Sequence, residues 1–163
     1  MTDSADRPEG FRRVSAVLAD AGHPHAPLWL DVAARTAQEA ADALGVSLGQ
    51  IAKSVVFRRV SDDAAVLVVT SGDRRVDEGK VASVTGPLGR AGADFVRART
   101  GFVIGGVSPV GHSERPLILI DRELQRFDLI WAAAGHPNGV FRLTPLQLVA
   151  LTGAAVHDVV QSS

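Results

Sequence analysis

Apolar residues Phe11, Val14, Leu18 and Ala21 recur at i, i+3, i+7 and i+10 in an otherwise polar stretch, and this spacing predicts a helix with one buried stripe. Gly22 and the segment from His23 to Pro27 (H-P-H-A-P) end it. Leu28 to Val32 reads as a short strand. Thr36-Ala37-Gln38-Glu39 then has the pattern of a capping box, in which the threonine hydroxyl takes an orphan N–H and the glutamate reaches back to the cap. Ala37, Ala40, Ala41 and Leu44 form the buried face of that helix, and Gly45 supplies its left-handed stop.

The pattern then changes from helical to extended. Residues 51–59 and 64–71 are rich in valine, are joined by Ser61-Asp62-Asp63, and are apolar at consecutive positions, which predicts two strands covered on both faces. Asp77 caps a helix carrying Val81 and Val84 that stops near Gly86-Pro87, and a short helical turn follows over residues 94–100. After a glycine-rich stretch, 117–121, 128–133 and 140–143 read as strands. Thr144-Pro145 opens a helix that runs to Gly153, proline being suited to the first helical position, and 155–160 closes the chain as a strand. The sequence has no internal repeat and no linker. The expectation is one mixed α+β domain over residues 10–163, with 1–9 as a flexible tail.

Composition narrows the function classes. A chain of 163 residues is long enough for a real core, and 46% hydrophobic with 21% charged residues is ordinary for a globular protein. Cysteine is absent, which excludes disulfides, thiolate zinc sites and a cysteine nucleophile, and which suits the cytoplasm. No apolar run is long enough to predict a membrane span, and the polar N-terminus has no secretory h-region. A net charge of −1 argues against affinity for nucleic acid through bulk charge. Arg58, Arg59, Arg74, Arg75 and Lys80 lie close together in sequence, as a local basic patch or as a solvated face. The histidines make no metal set: His23 and His25 flank a proline, His112 and His157 are isolated, and H-E-x-x-H is absent. Neither a metal nor another cofactor is expected.

Three places could carry chemistry. Lys53 stands in the apolar run I-A-K-S-V-V-F, either as a cationic anchor for a phosphate or as a lysine whose stem snorkels to water. Gly101 to Gly111 (G-F-V-I-G-G-V-S-P-V-G) pairs Gly105 with Gly106 and stiffens the loop with Pro109. Its N–H groups could polarise a carbonyl, or the segment could be an ordinary connection. It is neither a dinucleotide nor a Walker motif, and Ser108 is not placed as a G-x-S-x-G nucleophile. In A-A-A-G-H-P-N-G-V, Ala133, Ala134 and Gly135 leave space as a pocket floor would. His136 beside them could hold a substrate amine or a water, or lie in a surface turn.

Taken together and in order, T-A-Q-E-A-A-D-A-L-G-V, Q-I-A-K-S-V-V-F, S-G-D-R-R-V-D, G-F-V-I-G-G-V-S-P-V-G-H, W-A-A-A-G-H and L-T-P-L-Q-L-V-A-L-T-G-A resemble the YbaK/ProX family, the editing-domain relatives of bacterial prolyl-tRNA synthetase. The resemblance covers roughly residues 30–155. It implies a mixed, partly barrel-like sheet wrapped by helices, and hydrolysis of the ester that joins an amino acid to the terminal adenosine of tRNA. Lys53 matches the family's essential lysine, and Gly105 with Gly106 the loop that contacts the aminoacyl carbonyl. Thr36, Ser108, Ala133, Gly135 and His136 fall on the substrate-binding side, with no metal and no cofactor. Ala133, Ala134 and His136 depart from the pattern of cysteine-specific relatives, so the implied substrate is a compact amino acid such as alanine, serine or threonine. The implied partners are the tRNA acceptor end and an aminoacyl-tRNA synthetase, with no membrane, for a cytoplasmic monomer or weak dimer. The same cleft would also serve a non-catalytic module that binds tRNA or a nucleotide.

Overall fold

The computed structural model describes residues 6–162. Of the tail expected over 1–9, residues 1–5 lie outside the described residues; Arg7 packs over the Trp29 ring, and the first helix already includes Glu9. That helix, α1 (Glu9–Asp20), buries Phe11, Val14 and Leu18, the stripe read from the sequence, while Ala21 is exposed at its C-cap. A two-residue strand, β1 (Leu28–Trp29), follows, shorter than the 28–32 expected.

Helix α2 (Ala37–Leu44) has the full capping box: the Glu39 N–H donates to Thr36 Oγ1 at 3.1 Å, the Thr36 N–H donates to Glu39 Oε1 at 3.2 Å, and Gly45 stops the helix at φ 68°. A 3-10 turn (Leu48–Gln50) leads into β2 (Ile51–Arg59), which pairs antiparallel with β3 (Ala65–Ser71). Asp77 caps α3 (Glu78–Thr85) by accepting from the Lys80 N–H. Val81 is buried, but Val84 is 47% exposed, because only one side of this short helix meets the sheet. Next come β4 (Leu88–Arg90), a strand that Gly86-Pro87 concealed in the sequence, and α4 (Ala93–Thr100). The chain ends with β5 (Leu117–Asp121), β6 (Ile130–Ala133), β7 (Gly139–Leu143), α5 (Pro145–Thr152) and β8 (Ala155–His157). Beyond β8, Val160 makes only an isolated bridge to Val76 where a longer strand was expected.

The eight strands form one mixed sheet in the order β1-β7-β6-β2-β3-β5-β8, with β4 pairing β2 off that path. The pairs β2–β6, β3–β5 and β5–β8 are parallel and the others antiparallel. Two-sided coverage explains the continuous apolar runs of β3 and β5. Leu67, Val69, Ile118 and Ile120 join the main core with α1, α4 and α5, whereas Val66, Val68 and Leu119 pack with Val81 of α3 on the other face. A third cluster seats Ala40 and Ala41 of α2 against Ile51 and Trp131.

Candidate active site

The cavity arises from how β2 is shared. Strand β6 pairs with β2 only at Ile51 and Ala52, and β4 pairs with the same edge only over Phe57–Arg59. Between those contacts no strand covers that edge among the described residues. The Gly72 N–H donates to the Ile51 carbonyl and the Arg59 N–H to the Ala64 carbonyl, each at 2.8 Å, so the odd-numbered residues of β2 spend their main-chain groups on β3. The even-numbered ones point to the opposite edge, where Ala52 meets β6, Arg58 meets β4, and Ser54 faces the gap.

That gap is the mouth of a cavity of about 350 Å³. Its walls come from β2, from Ala34 to Ala37 and Ala40 at the start of α2, from the glycine-rich loop at Ile104, Gly105 and Val107, and from Trp131 to Ala133 of β6. The walls are mostly alanine and valine. Arg35 and Lys53 are the only charged side chains among the described residues that line it, and no carboxylate does. Ser54 and Trp131 also line this space, and among the described residues Ser54 Oγ and Trp131 Nε1 are buried without a hydrogen-bond partner, an uncommon state for buried polar atoms.

Lys53 is partly buried, and its ammonium donates to the Arg74 carbonyl at 3.0 Å, which holds the side chain in one orientation. Burial first, and the like charge of Arg75 second, hold its pKa below the usual lysine value, with Asp73 opposing. Among the described residues no ion pair neutralises it, so the ammonium keeps a net positive charge ready for an anion.

Of the paired glycines only Gly105 lines the cavity. It sits at φ 94°, a left-handed conformation open chiefly to glycine, and it packs on the Arg35 stem, where a Cβ would fall 3.3 Å from Cγ. Gly106 does another job. Its N–H donates to the Val103 carbonyl at 3.0 Å, so the donor expected there is already used. A Cβ on Gly106 would fall 2.7 Å from His136 Cα, so this glycine lets the loop press against the His136 turn.

The remaining residues singled out in the sequence divide in the same way. Thr36 and Ala133 line the cavity, while Ser108, Gly135 and His136 stand behind it. Ser108 is fully buried, and its Oγ accepts from the Val110 N–H, an arrangement internal to the loop. Gly135 packs at φ 83° against the Gly10 backbone. The His136 ring stacks on Trp29 with centroids 4.9 Å apart, and its Nδ1 accepts from the Asn138 N–H, which leaves the proton of a neutral ring on Nε2. Burial, then Arg35, lower its pKa below 6.5. Among the described residues no three His, Asp or Glu side chains gather as metal ligands. No helix there is long and apolar enough to cross a membrane.

The chain around this cationic cavity matches a known domain family. The model of the aminoacyl-tRNA editing domain family aligns with residues 31–151, which contain every element that walls the cavity. The chain belongs to this family.

Its relatives agree in shape as well as sequence. The crystal structure of "a putative trans-editing enzyme for prolyl tRNA synthetase" is 41% identical and superposes with a TM-score of 0.89, over 96% of this chain and 100% of that one. The Bacillus subtilis (strain 168) protein YwhH, named as uncharacterized, is 36% identical over 119 residues, 72% of this chain and 75% of its own length. The Enterococcus faecalis (strain ATCC 700802 / V583) protein EbsC, named "Putative Cys-tRNA(Pro)/Cys-tRNA(Cys) deacylase", is 25% identical over 126 residues, 76% of each. Three residues of this editing domain's cavity escaped the sequence reading. Arg35 and Ser54 adjoin residues that were singled out, Thr36 and Lys53. Trp131 was visible as a large aromatic beside three alanines, but only packing reveals that its N–H lacks a partner.

Proposed function

We propose that this chain is a trans-editing aminoacyl-tRNA deacylase, which hydrolyses the ester joining a small, wrongly attached amino acid to the terminal adenosine of tRNA. The observation that carries the reading is a single cavity lined by both Lys53 and Gly105, with two cations and no carboxylate on its walls among the described residues.

In this reading the Lys53 ammonium holds the phosphate or ribose of the acceptor end, oriented by the Arg74 carbonyl. Gly105 presents its N–H to the ester carbonyl, and Gly106 fixes that turn against His136. A water, held by a hydrogen bond to the vicinal ribose hydroxyl, adds to the carbonyl carbon, and the tetrahedral oxyanion is met by the Gly105 donor. Collapse breaks the ester bond, and the proton of the nucleophile ends on the departing ribose oxygen. An ester is activated compared with an amide, so positioning and oxyanion stabilisation suffice without a covalent nucleophile. Ser108, buried and bonded within its own loop, takes no part in bond making.

Ala34, Ala37, Ala40 and Ala133 line the cavity, and in this reading they receive a compact side chain such as that of alanine, serine or threonine. Discrimination by one methylene amounts to about 10–200-fold. The partners in this reading are the acceptor end of tRNA and an aminoacyl-tRNA synthetase that supplies the mischarged product. The protein works as a monomer or weak dimer in the cytoplasm, where charged tRNA is made.

A panel of tRNAs mischarged with alanine, serine, threonine or cysteine tests this directly. Loss of one or more of the three small-residue esters well above buffer is the expected outcome. Tight binding of charged tRNA with no turnover of any ester would replace the deacylase by a binding module.

A further inference from the structure

With a net charge of −1, any affinity of this chain for a polyanion has to come from local placement of its cations. Much of the basic surface near the β2–β3 hairpin is neutralised. Arg58 pairs with Asp63 and Arg59 with Asp62, both at 2.7 Å; Arg126 pairs with Asp73 at 2.9 Å and Lys80 with Asp158 at 3.2 Å. Arg74 shares Asp73 and Glu123.

Around the cavity the pattern reverses. Arg35 lines the cavity, is exposed, and has no carboxylate within ion-pair reach among the described residues. Among the described residues the Lys53 ammonium hydrogen-bonds the Arg74 carbonyl and no carboxylate. Arg75, the residue after that carbonyl, is exposed and equally without a carboxylate among the described residues, and its like charge is felt at Lys53. Arg35, Lys53 and Arg75 make no ion pair among the described residues, and Asp73, already paired with Arg126, offsets the charge at Lys53 only in part, so an incoming anion relieves the remaining repulsion. Guanidinium groups offer phosphate a fork of donors that a lysine lacks.

We infer that Arg35 and Arg75 form with Lys53 a phosphate-binding track at the cavity mouth, which grips successive phosphates of the single-stranded 3′ end of tRNA. The two arginines are positioning residues: they set the register in which the ester enters the cavity. The inference rests on the deacylase reading for the identity of the polyanion, and the binding experiment below requires no hydrolysis.

An uncharged RNA hairpin with an acceptor-type single-stranded 3′ tail, labelled for fluorescence anisotropy, is titrated with protein between 50 and 200 mM salt. Arg35→Gln, which keeps the stem packed on Gly105, and Arg75→Gln are each expected to lower the magnitude of the slope of log K against log salt by about 0.7, the value for one single-strand contact, and the double variant by about 1.4. Arg35→Lys retains the charge and the wild-type slope. Arg12→Gln, on the exposed side of α1 away from the cavity, leaves the slope unchanged. A double variant with wild-type affinity and slope overturns the track, as does an Arg12 variant that loses as much as the Arg35 variant, or a wild-type protein that does not bind the hairpin at 50 mM salt. Failure to hydrolyse any ester, with these slopes intact, would refute the deacylase reading and leave the track standing.

Discussion

A methyl group on residue 106 would fall 2.7–2.9 Å from three backbone atoms of His136, so the glycine turn and the His136 turn touch only because that methyl is absent. Gly106→Ala therefore pushes the loop away from its support. It should lower stability by about 1–3 kcal/mol, the usual cost of overpacking, and cut deacylation on the order of 10²-fold through misplacement of Gly105. Equal melting curves and equal rates for variant and wild type would contradict this. The glycine pair was singled out in the sequence; the different packing of its two members was not legible, because the Gly106 N–H is taken by Val103 in a turn whose shape only folding decides. Loop support also has a pH signature. His112 bonds the Ser108 carbonyl through Nε2 at 2.6 Å and packs edge-on to Phe102. Burial is the main cause of its lowered pKa, the Ser108 carbonyl opposes it, and Arg13 adds to the lowering. Above pH 6.5 the ring is neutral in both folded and unfolded chains. As pH falls through 6.5 the unfolded chain takes up the proton first, so stability drops, with His136 acting in the same direction. The melting temperature should fall from pH 7 to pH 5, and His112→Gln should flatten that dependence; parallel curves would refute the assignment.

Among the elements, α2 was the most legible, because its start and stop are local chemistry. The Thr36–Glu39 box and Gly45 need nothing from the rest of the chain. Thr36→Ala should cost about 1 kcal/mol, read as a lower denaturation midpoint, and an unchanged midpoint would show the box to be dispensable. Strands β3 and β5 were legible from their unbroken apolar runs. Strand β2 reads much the same, yet one edge of it is left open between β6 and β4, and this opening makes the cavity. Such a gap depends on pairing between residues about 30 and 80 positions apart, which leaves no mark on the local pattern. Strand β4 was missed for a related reason: three residues after Gly86-Pro87 have no periodicity to read, and only pairing with β2 makes them a strand.

Over the whole molecule, fold and family agree with the sequence reading, and four of the six ordered motifs contribute residues that line the cavity. What the sequence could not convey is which cations are free. Arg58, Arg59, Arg74, Arg75 and Lys80 look alike in a row of letters, and the fold neutralises all of them except Arg75 with nearby acids. Arg35, spaced far from that group, becomes the charge beside Gly105. The site is thus a product of topology: α2, the open edge of β2 and the glycine loop each bring one part. In it, as proposed above, the Lys53 ammonium anchors the substrate in the cavity that Gly105 faces. The most direct test compares the deacylation rates of wild-type protein and Lys53→Ala on the mischarged tRNA that the wild type hydrolyses best, with circular dichroism to verify the fold. A native spectrum and a loss of activity to the buffer rate are expected. A folded Lys53→Ala protein that hydrolyses the ester at the wild-type rate would contradict this anchoring role.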